Sequence, residues 1–431
     1  MSRARTAAVA AGAGLVASCL VVAGPAPAYA QSVDCTQITP DAVPESPLQA
    51  TTDNKPFEEM DVQRVWDRLG SPDAAGKDVT VAVLDSGVVT DGTSIPVLPD
   101  RPPAGAKAPP SYYHGTAVAG LVAGAPDAEG NPVGIAPGAK ILDVQVYDDP
   151  TQDASDTNAL LDPANVVAGL DQVLQRVDQL NVKVVTIALQ LPDDAGVDDR
   201  IAQLWQRGVV VVAPTGNRPS GESDLPELLG EEYEAHRPGE DVAGLIHPAD
   251  QPDVVGANST VAGADGDPDP TAPVLENSDT DVAVPTAYAT SYSLLGGTCY
   301  LAVPATSWAT AEVSGVLAIL ASAHPDDNPA QLVARLRYTA AGRTDLPNTL
   351  VGAGVVQPYQ ALTRPMEIDT DGTVLSAGTV VDQPQELSVP EEPADVLAST
   401  RDNAVWWGLV AGGLLLLTLV LRPVLARRRR S

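Results

Sequence analysis

Four runs of apolar, largely β-branched residues stand out along this chain: VTVAVLD ending at Asp85, AKILDVQV ending at Val146, KVVTIAL ending at Leu189 and GVVVVAP ending at Pro214. Each is apolar nearly without interruption, the pattern of a strand buried on both faces of a parallel sheet rather than the alternation of a half-exposed one. Stretches with helical spacing lie between them, among them ANVVAGLDQVLQRVDQL from Ala164 to Leu180. Strands that alternate with amphipathic helices predict an α/β fold of three layers, with a mostly parallel central sheet between helices. Upstream, residues 31–78 lack strand alternation, but PFEEMDVQRVWDRLG, Pro56 to Gly70, has the spacing of one helix leading into the first core strand. Asp148 to Asp162, Arg218 to Glu240 and Ala262 to Asp279 are rich in Asp, Glu, Pro and Gly and read as surface loops. The grouped acids Asp265, Asp267 and Asp269 lack the full ligand spacing of a calcium loop, which favours a solvated segment.

The two ends differ from this core. Residues 1–30 open with Arg3 and Arg5, run through an apolar stretch and end at Ala28-Tyr29-Ala30, the layout of a signal peptide with its small-x-small cleavage site. Ala404 to Leu421 carries no charge and is long enough for one hydrocarbon core, with Trp406 and Trp407 at one edge. Arg422 and Arg427 to Arg430 follow, so the positive-inside rule places residues 422–431 in the cytoplasm and the bulk of the chain outside the cell membrane, on a single-pass anchor. The core domain is expected over 79–364 and a flexible stalk, rich in Pro, Glu and Asp, over 365–403.

Three short segments carry candidate chemistry. Asp85 closes the first core strand, His114 begins the small-residue run HGTAVAGLVAG, and Ser307 opens the helical stretch SWATAEVSGVLAILASA. A serine hydroxyl is a poor nucleophile unless an imidazole takes its proton, and a buried carboxylate is needed to hold that imidazole in one tautomer. The three residues supply this set in the order acid, histidine, serine. A serine at a helix start also offers its own backbone N–H, and the helix dipole favours negative charge there. Asn217, which ends the strand GVVVVAPTGN, is the candidate for a second oxyanion donor.

On these motifs the chain resembles the subtilisin-like serine proteases from about Val79 to Leu362. VLDSGV, HGTAVAG, VGIAPGAKILDVQV (Val133 to Val146), PTGN and the closing GAGVVQPYQAL (Gly352 to Leu362) all match. Together with the leader, the N-terminal extension and the C-terminal anchor, the layout resembles the mycosins, membrane-anchored subtilases of type VII secretion systems. The resemblance implies a subtilisin-like fold, serine endopeptidase activity on a protein or peptide substrate, subunits of a membrane secretion complex as partners, and a substrate cleft edged by Ala188, Leu189 and Gln190. It equally admits a second role, a structural subunit of that complex whose protease site is dispensable. Departures cluster at the nucleophile. Ala305 and Ala311 stand where the family has glycine and proline, Tyr113 stands where a glycine often precedes the histidine, and Gln190 replaces a glycine of the cleft.

Composition narrows the setting. The net charge is −31, and the leader and tail contribute only arginine, so the segment between them is more acidic still. Such a surface repels nucleic acid and keeps the protein soluble. Without the leader, Cys35 and Cys299 remain, an even pair in an oxidising compartment, so a disulfide joining the extension to the segment before Ser307 is expected, with two separate thiols as the alternative. His236, His247 and His324 sit in no ligand motif and read as surface or packing residues. Neither a metal site nor a cofactor is called for.

Overall fold

A computed structural model describes residues 33–39, 50, 54–100, 102, 104, 109–148, 161–218, 238–260, 271, 273–342, 347–379 and 398–428. The leader, most of the three acidic insertions including Asp265, Asp267 and Asp269, His236, and the centre of the stalk lie outside the described residues. The chain divides into two units, residues 1–380 and 381–431.

In the first unit the apolar runs form β1 (Thr80–Asp85), β2 (Lys140–Gln145), β3 (Val182–Ile187) and β4 (Val210–Pro214), joined by β5 (Val254–Thr260) and β6 (Val282–Pro285). All pair in parallel in the order β2-β1-β3-β4-β5-β6. Side chains alternate between faces, so Val81 and Val83 join one core while Ala82 and Leu84 join the other. The first core packs α3 (His114–Ala123) and α7 (Thr306–Ala323) against the sheet, and the second packs α4 (Pro163–Leu174) and α6 (Ala195–Gln206), with the short α5 (Val177–Leu180) beside them. This is the expected three-layer α/β fold. The chain leaves β1 toward one side of the sheet and returns at β3 on the other. The carboxyl ends of these two strands therefore form a crevice, where sites in such sheets are built.

The extension runs beside the hairpin of β7 (Ala289–Tyr292) and β8 (Thr298–Leu301). Val33 and Asp34 lie along β8, and the Tyr300 N–H donates to the Val33 carbonyl at 3.1 Å. Cys35 and Cys299 are joined by a disulfide, with Cα atoms 5.1 Å apart. Because it closes a sequence separation of 264 residues, it constrains the unfolded chain by up to about 5 kcal/mol in the chain-entropy picture. The expected single helix is two, α1 (Lys55–Glu59) and α2 (Val62–Leu69), because Asp61 adopts a left-handed φ of 55° that interrupts the helical bonding. The break turns Trp66 fully into the core, where its indole N–H donates to the Ile135 carbonyl at 3.0 Å.

The head of the segment expected to be a stalk is folded. β9 (Met366–Ile368) and β10 (Val374–Ala377) form an antiparallel hairpin, held to α8 (Pro329–Thr339) by the Gln331 amide on the Ile368 carbonyl and the Asn328 amide on the Thr370 carbonyl, each at 2.9 Å. α9 (Pro358–Thr363) precedes it. In the second unit, α10 (Ala398–Arg428) contains a 19-residue stretch, Ala404–Arg422, long and apolar enough to cross a membrane, and none of it is buried. Trp406, Trp407 and a row of leucines are exposed along it.

Within α7, Glu312 is fully buried and neither carboxyl oxygen has a hydrogen-bond partner. Burial pushes its pKa well above the usual carboxylate range, and the nearby Glu59 adds in the same direction. The fold therefore holds a neutral acid. An unfolded glutamate ionises near pH ~4.3, so the folded state loses stability, relative to a non-ionising side chain, as pH climbs from there toward the raised value. Glu312→Gln keeps the shape and removes the ionisation. Its melting temperature should gain on wild type by more at about pH 8 than at about pH 5, and an offset independent of pH would contradict this.

Candidate active site

Asp85 ends β1 and is wholly buried. Its Oδ1 accepts from the Ser86 N–H at 2.7 Å and from the Tyr147 hydroxyl at 3.2 Å, while His114 Nδ1 stands 2.9 Å from both carboxylate oxygens. A carboxylate can only accept, so Nδ1 carries a proton, and the neutral imidazole then has its lone pair on Nε2. Close packing fixes this approach: a β-carbon on Gly115 would sit 2.5 Å from the Gly87 carbonyl oxygen and 3.2 Å from Asp85 Cβ. The Gly115 N–H in turn donates to Ser86 Oγ at 3.0 Å, which ties the first turn of α3 to the end of β1.

Ser307 lies in the first turn of α7 and is 8% exposed. Trp308 next to it places its ring 5.1 Å from the imidazole, so the start of α7 and the start of α3 share one aromatic contact. Tyr112 lies nearly parallel to the imidazole, with ring centroids 6.2 Å apart. The Ser307 hydroxyl donates its single proton to the Ala188 carbonyl at 3.0 Å rather than to the imidazole. Ala188 follows β3, so this bond joins the proposed cleft edge to the helix that carries the serine. Ala188 and Leu189 are buried and Gln190 is half-buried.

Asn217 follows β4 through Gly216, whose φ of 116° is open to glycine alone. Its Oδ1 accepts from the Thr306 N–H at 2.8 Å and the Thr306 hydroxyl at 3.0 Å. Because a backbone N–H must meet an acceptor, the amide oxygen is fixed on Thr306 and the donating Nδ2 faces away from it. Ala305, in place of glycine, takes an extended φ of −149° that any residue adopts, so this departure leaves the backbone unstrained.

Tyr147 belongs to no local motif that would have marked it. Burial pushes its hydroxyl well above the usual phenol range, and the Asp85 charge does the same, so it stays protonated and donates. Its place follows from parallel pairing: β2 lies beside β1, and the Val146 N–H donates to the Asp85 carbonyl at 2.9 Å, which brings the next side chain over the carboxylate.

A six-stranded parallel sheet with a buried carboxylate on an imidazole at its switch point, and a serine in the first turn of a buried helix, is the layout of the subtilisin class of serine protease. Residues 76–354 match the model of the subtilase family, peptidase S8, and the chain belongs to that family of serine endopeptidases. It is similar to Mycosin-4 of Mycobacterium tuberculosis, 25% identical over 393 residues, covering 86% of this chain and 80% of that protein. Subtilisin E of Bacillus subtilis is 29% identical over 281 residues, 63% of either chain. Among solved structures, the MycP3 protease of the type VII (ESX-3) secretion system is similar with a TM-score of 0.55 and 25% identity, over 78% of this chain and 93% of that one.

Tyr147→Phe preserves the packed ring and removes only the bond to Asp85. A hydrogen bond to a charged group contributes about 1.5–3 kcal/mol, so urea unfolding should report a loss of that size; a loss below about 0.5 kcal/mol would leave the tyrosine without this role.

Proposed function

We propose that the chain is a membrane-anchored serine endopeptidase of a type VII secretion system, which cleaves a peptide bond outside the cytoplasm with Ser307 as nucleophile, His114 as base and Asp85 as the group that orients the imidazole. The observation that carries this is the buried Asp85 carboxylate with both oxygens 2.9 Å from His114 Nδ1. In that tautomer Nε2 is the basic nitrogen, and α7 presents Ser307 from the helix whose Trp308 touches the same ring.

The reaction begins when the Ser307 hydroxyl leaves the Ala188 carbonyl and gives its proton to Nε2 as Oγ attacks the scissile carbonyl. Negative charge then develops on the carbonyl oxygen. The Ser307 N–H at the start of α7 and the Asn217 Nδ2 are the donors we assign to it. The imidazolium, stabilised by Asp85, passes the proton to the leaving amine, and water repeats the sequence on the acyl-enzyme. Ala188, Leu189 and Gln190 edge the cleft in which the substrate lies.

α10 supports the anchor, because a row of exposed leucines is stable only when apolar surroundings cover it, and Arg422 with Arg427 to Arg430 follows the apolar stretch at the end assigned to the cytoplasm. The similarity to MycP3 supports the secretion setting and makes the subunits of such a complex the expected partners. One observation favours a second role, that of a scaffold with a dispensable site: the Ser307 hydroxyl is committed to the Ala188 carbonyl, and the residues flanking it depart from the family pattern.

A fluorophosphonate probe separates the two. On full-length protein in detergent it should label wild type and leave Ser307→Ala, shown by circular dichroism to be folded, unlabelled. A folded wild type that stays unlabelled would overturn the peptidase reading in favour of the scaffold.

A further inference from the structure

A second cluster of charged side chains lies behind the cleft edge, apart from the Asp85–His114 pair. Leu191 pairs with His247, and its N–H donates to the His247 carbonyl at 2.8 Å. Asp193 immediately precedes the capping residue of α6, Asp194, and Asp198 lies in the first turn of that helix. The ligand atoms of Asp193, Asp198 and His247 all fall within 4.8 Å of one another.

His247 is 3% exposed, and its two ring nitrogens are in different situations. Nδ1 lies 3.0 Å from Asp250 Oδ1, an acceptor, so a ring proton sits there and the neutral ring presents its lone pair at Nε2. Nε2 faces Asp198 Oδ1 at 3.3 Å, yet each of these two buried atoms lacks a hydrogen-bond partner. With the ring neutral these are two converging acceptors, which stand as they do when both address a third, positive atom. A histidine whose far nitrogen is engaged by a carboxylate while the near one joins further carboxylates is the usual arrangement around a protein-bound metal. Asp193, exposed at the rim, leaves a path from solvent.

We propose that Asp193, Asp198 and His247 bind a divalent metal ion of the zinc type, with Asp250 as the residue that positions the imidazole. One imidazole nitrogen and two carboxylate oxygens suit Zn²⁺, whereas Ca²⁺ and Mg²⁺ prefer oxygen alone. The ion ties the first turn of α6 to the strand-like pair Leu191–His247, directly after Ala188, Leu189 and Gln190, and so stiffens the cleft edge. Its role is structural and independent of the chemistry proposed for Ser307.

The test uses tag-free, full-length protein in detergent, stripped with a chelator and titrated with Zn²⁺ alone. Wild type should bind about one equivalent and melt several degrees higher with metal. Asp193→Asn changes an exposed residue, so its metal-free melting temperature should match wild type while its Zn²⁺ affinity falls at least ~10-fold. Asp250→Asn should weaken binding by ~10–100-fold through loss of the positioning bond. No melting shift in wild type would overturn the proposal, leaving protonated His247 in an ion pair with Asp198 and Asp250. Equal Zn²⁺ affinity in wild type and Asp193→Asn would overturn it too, as would an equal shift with Ca²⁺.

Discussion

The first unit is organised around one buried negative charge. Asp85 has no contact with solvent, and an uncompensated carboxylate in such a place costs several kcal/mol, more than most single features of a fold contribute. Three donors meet it: the Ser86 N–H beyond β1, the Tyr147 hydroxyl from just beyond the neighbouring β2 and the His114 imidazole from α3. Each comes from a different element, so the carboxylate fixes how β1, β2 and α3 sit together. The small residues after His114 serve the same end, since α3 reaches the imidazole position only if Gly115 lets it lie against the Gly87 carbonyl.

From that charge the arrangement extends outward to α7. Trp308 rests on the imidazole, the Ser307 hydroxyl reaches the Ala188 carbonyl, and Thr306 holds the Asn217 amide oxygen. Three consecutive residues at one helix start thus touch the base, the cleft edge and the proposed oxyanion donor. Moving α7 would disturb all three at once, and the apolar residues that bury the helix along most of its length hold it in place. In the proposed reaction the Ser307 proton moves from the Ala188 carbonyl to the imidazole. That transfer separates a working endopeptidase from a scaffold of the same shape.

Much of this was legible in the sequence. The continuous apolar runs are the strands of the parallel sheet; Asp85 ends β1 as expected, whereas β4 stops at Pro214 and Asn217 lies just beyond it. The placing of His114 and Ser307 at helix starts followed from the small, apolar runs behind them. The pairing of Cys35 with Cys299 needed only parity and compartment. Other features depend on three-dimensional proximity. Tyr147 gains its role from the strand beside it, and His247 meets Asp193 and Asp198 from a distant segment, so neither leaves a local motif. Asp61 in a left-handed turn splits a helix whose apolar spacing is continuous. The hairpin over Met366–Ala377 lies in a polar segment whose order comes from side chains of α8, which composition alone does not reveal.

The central claim is that Asp85 holds His114 in the tautomer that makes Nε2 a base. Its most direct test is peptide cleavage by wild type and Asp85→Asn, measured as kcat/KM on the same quenched-fluorescence substrate, with both proteins shown to be folded. An asparagine has the same shape but can hold the imidazole in the wrong tautomer, so the account predicts a fall of about 10⁴-fold. Cleavage by Asp85→Asn within about tenfold of wild type, or a wild type that cleaves nothing, would contradict it.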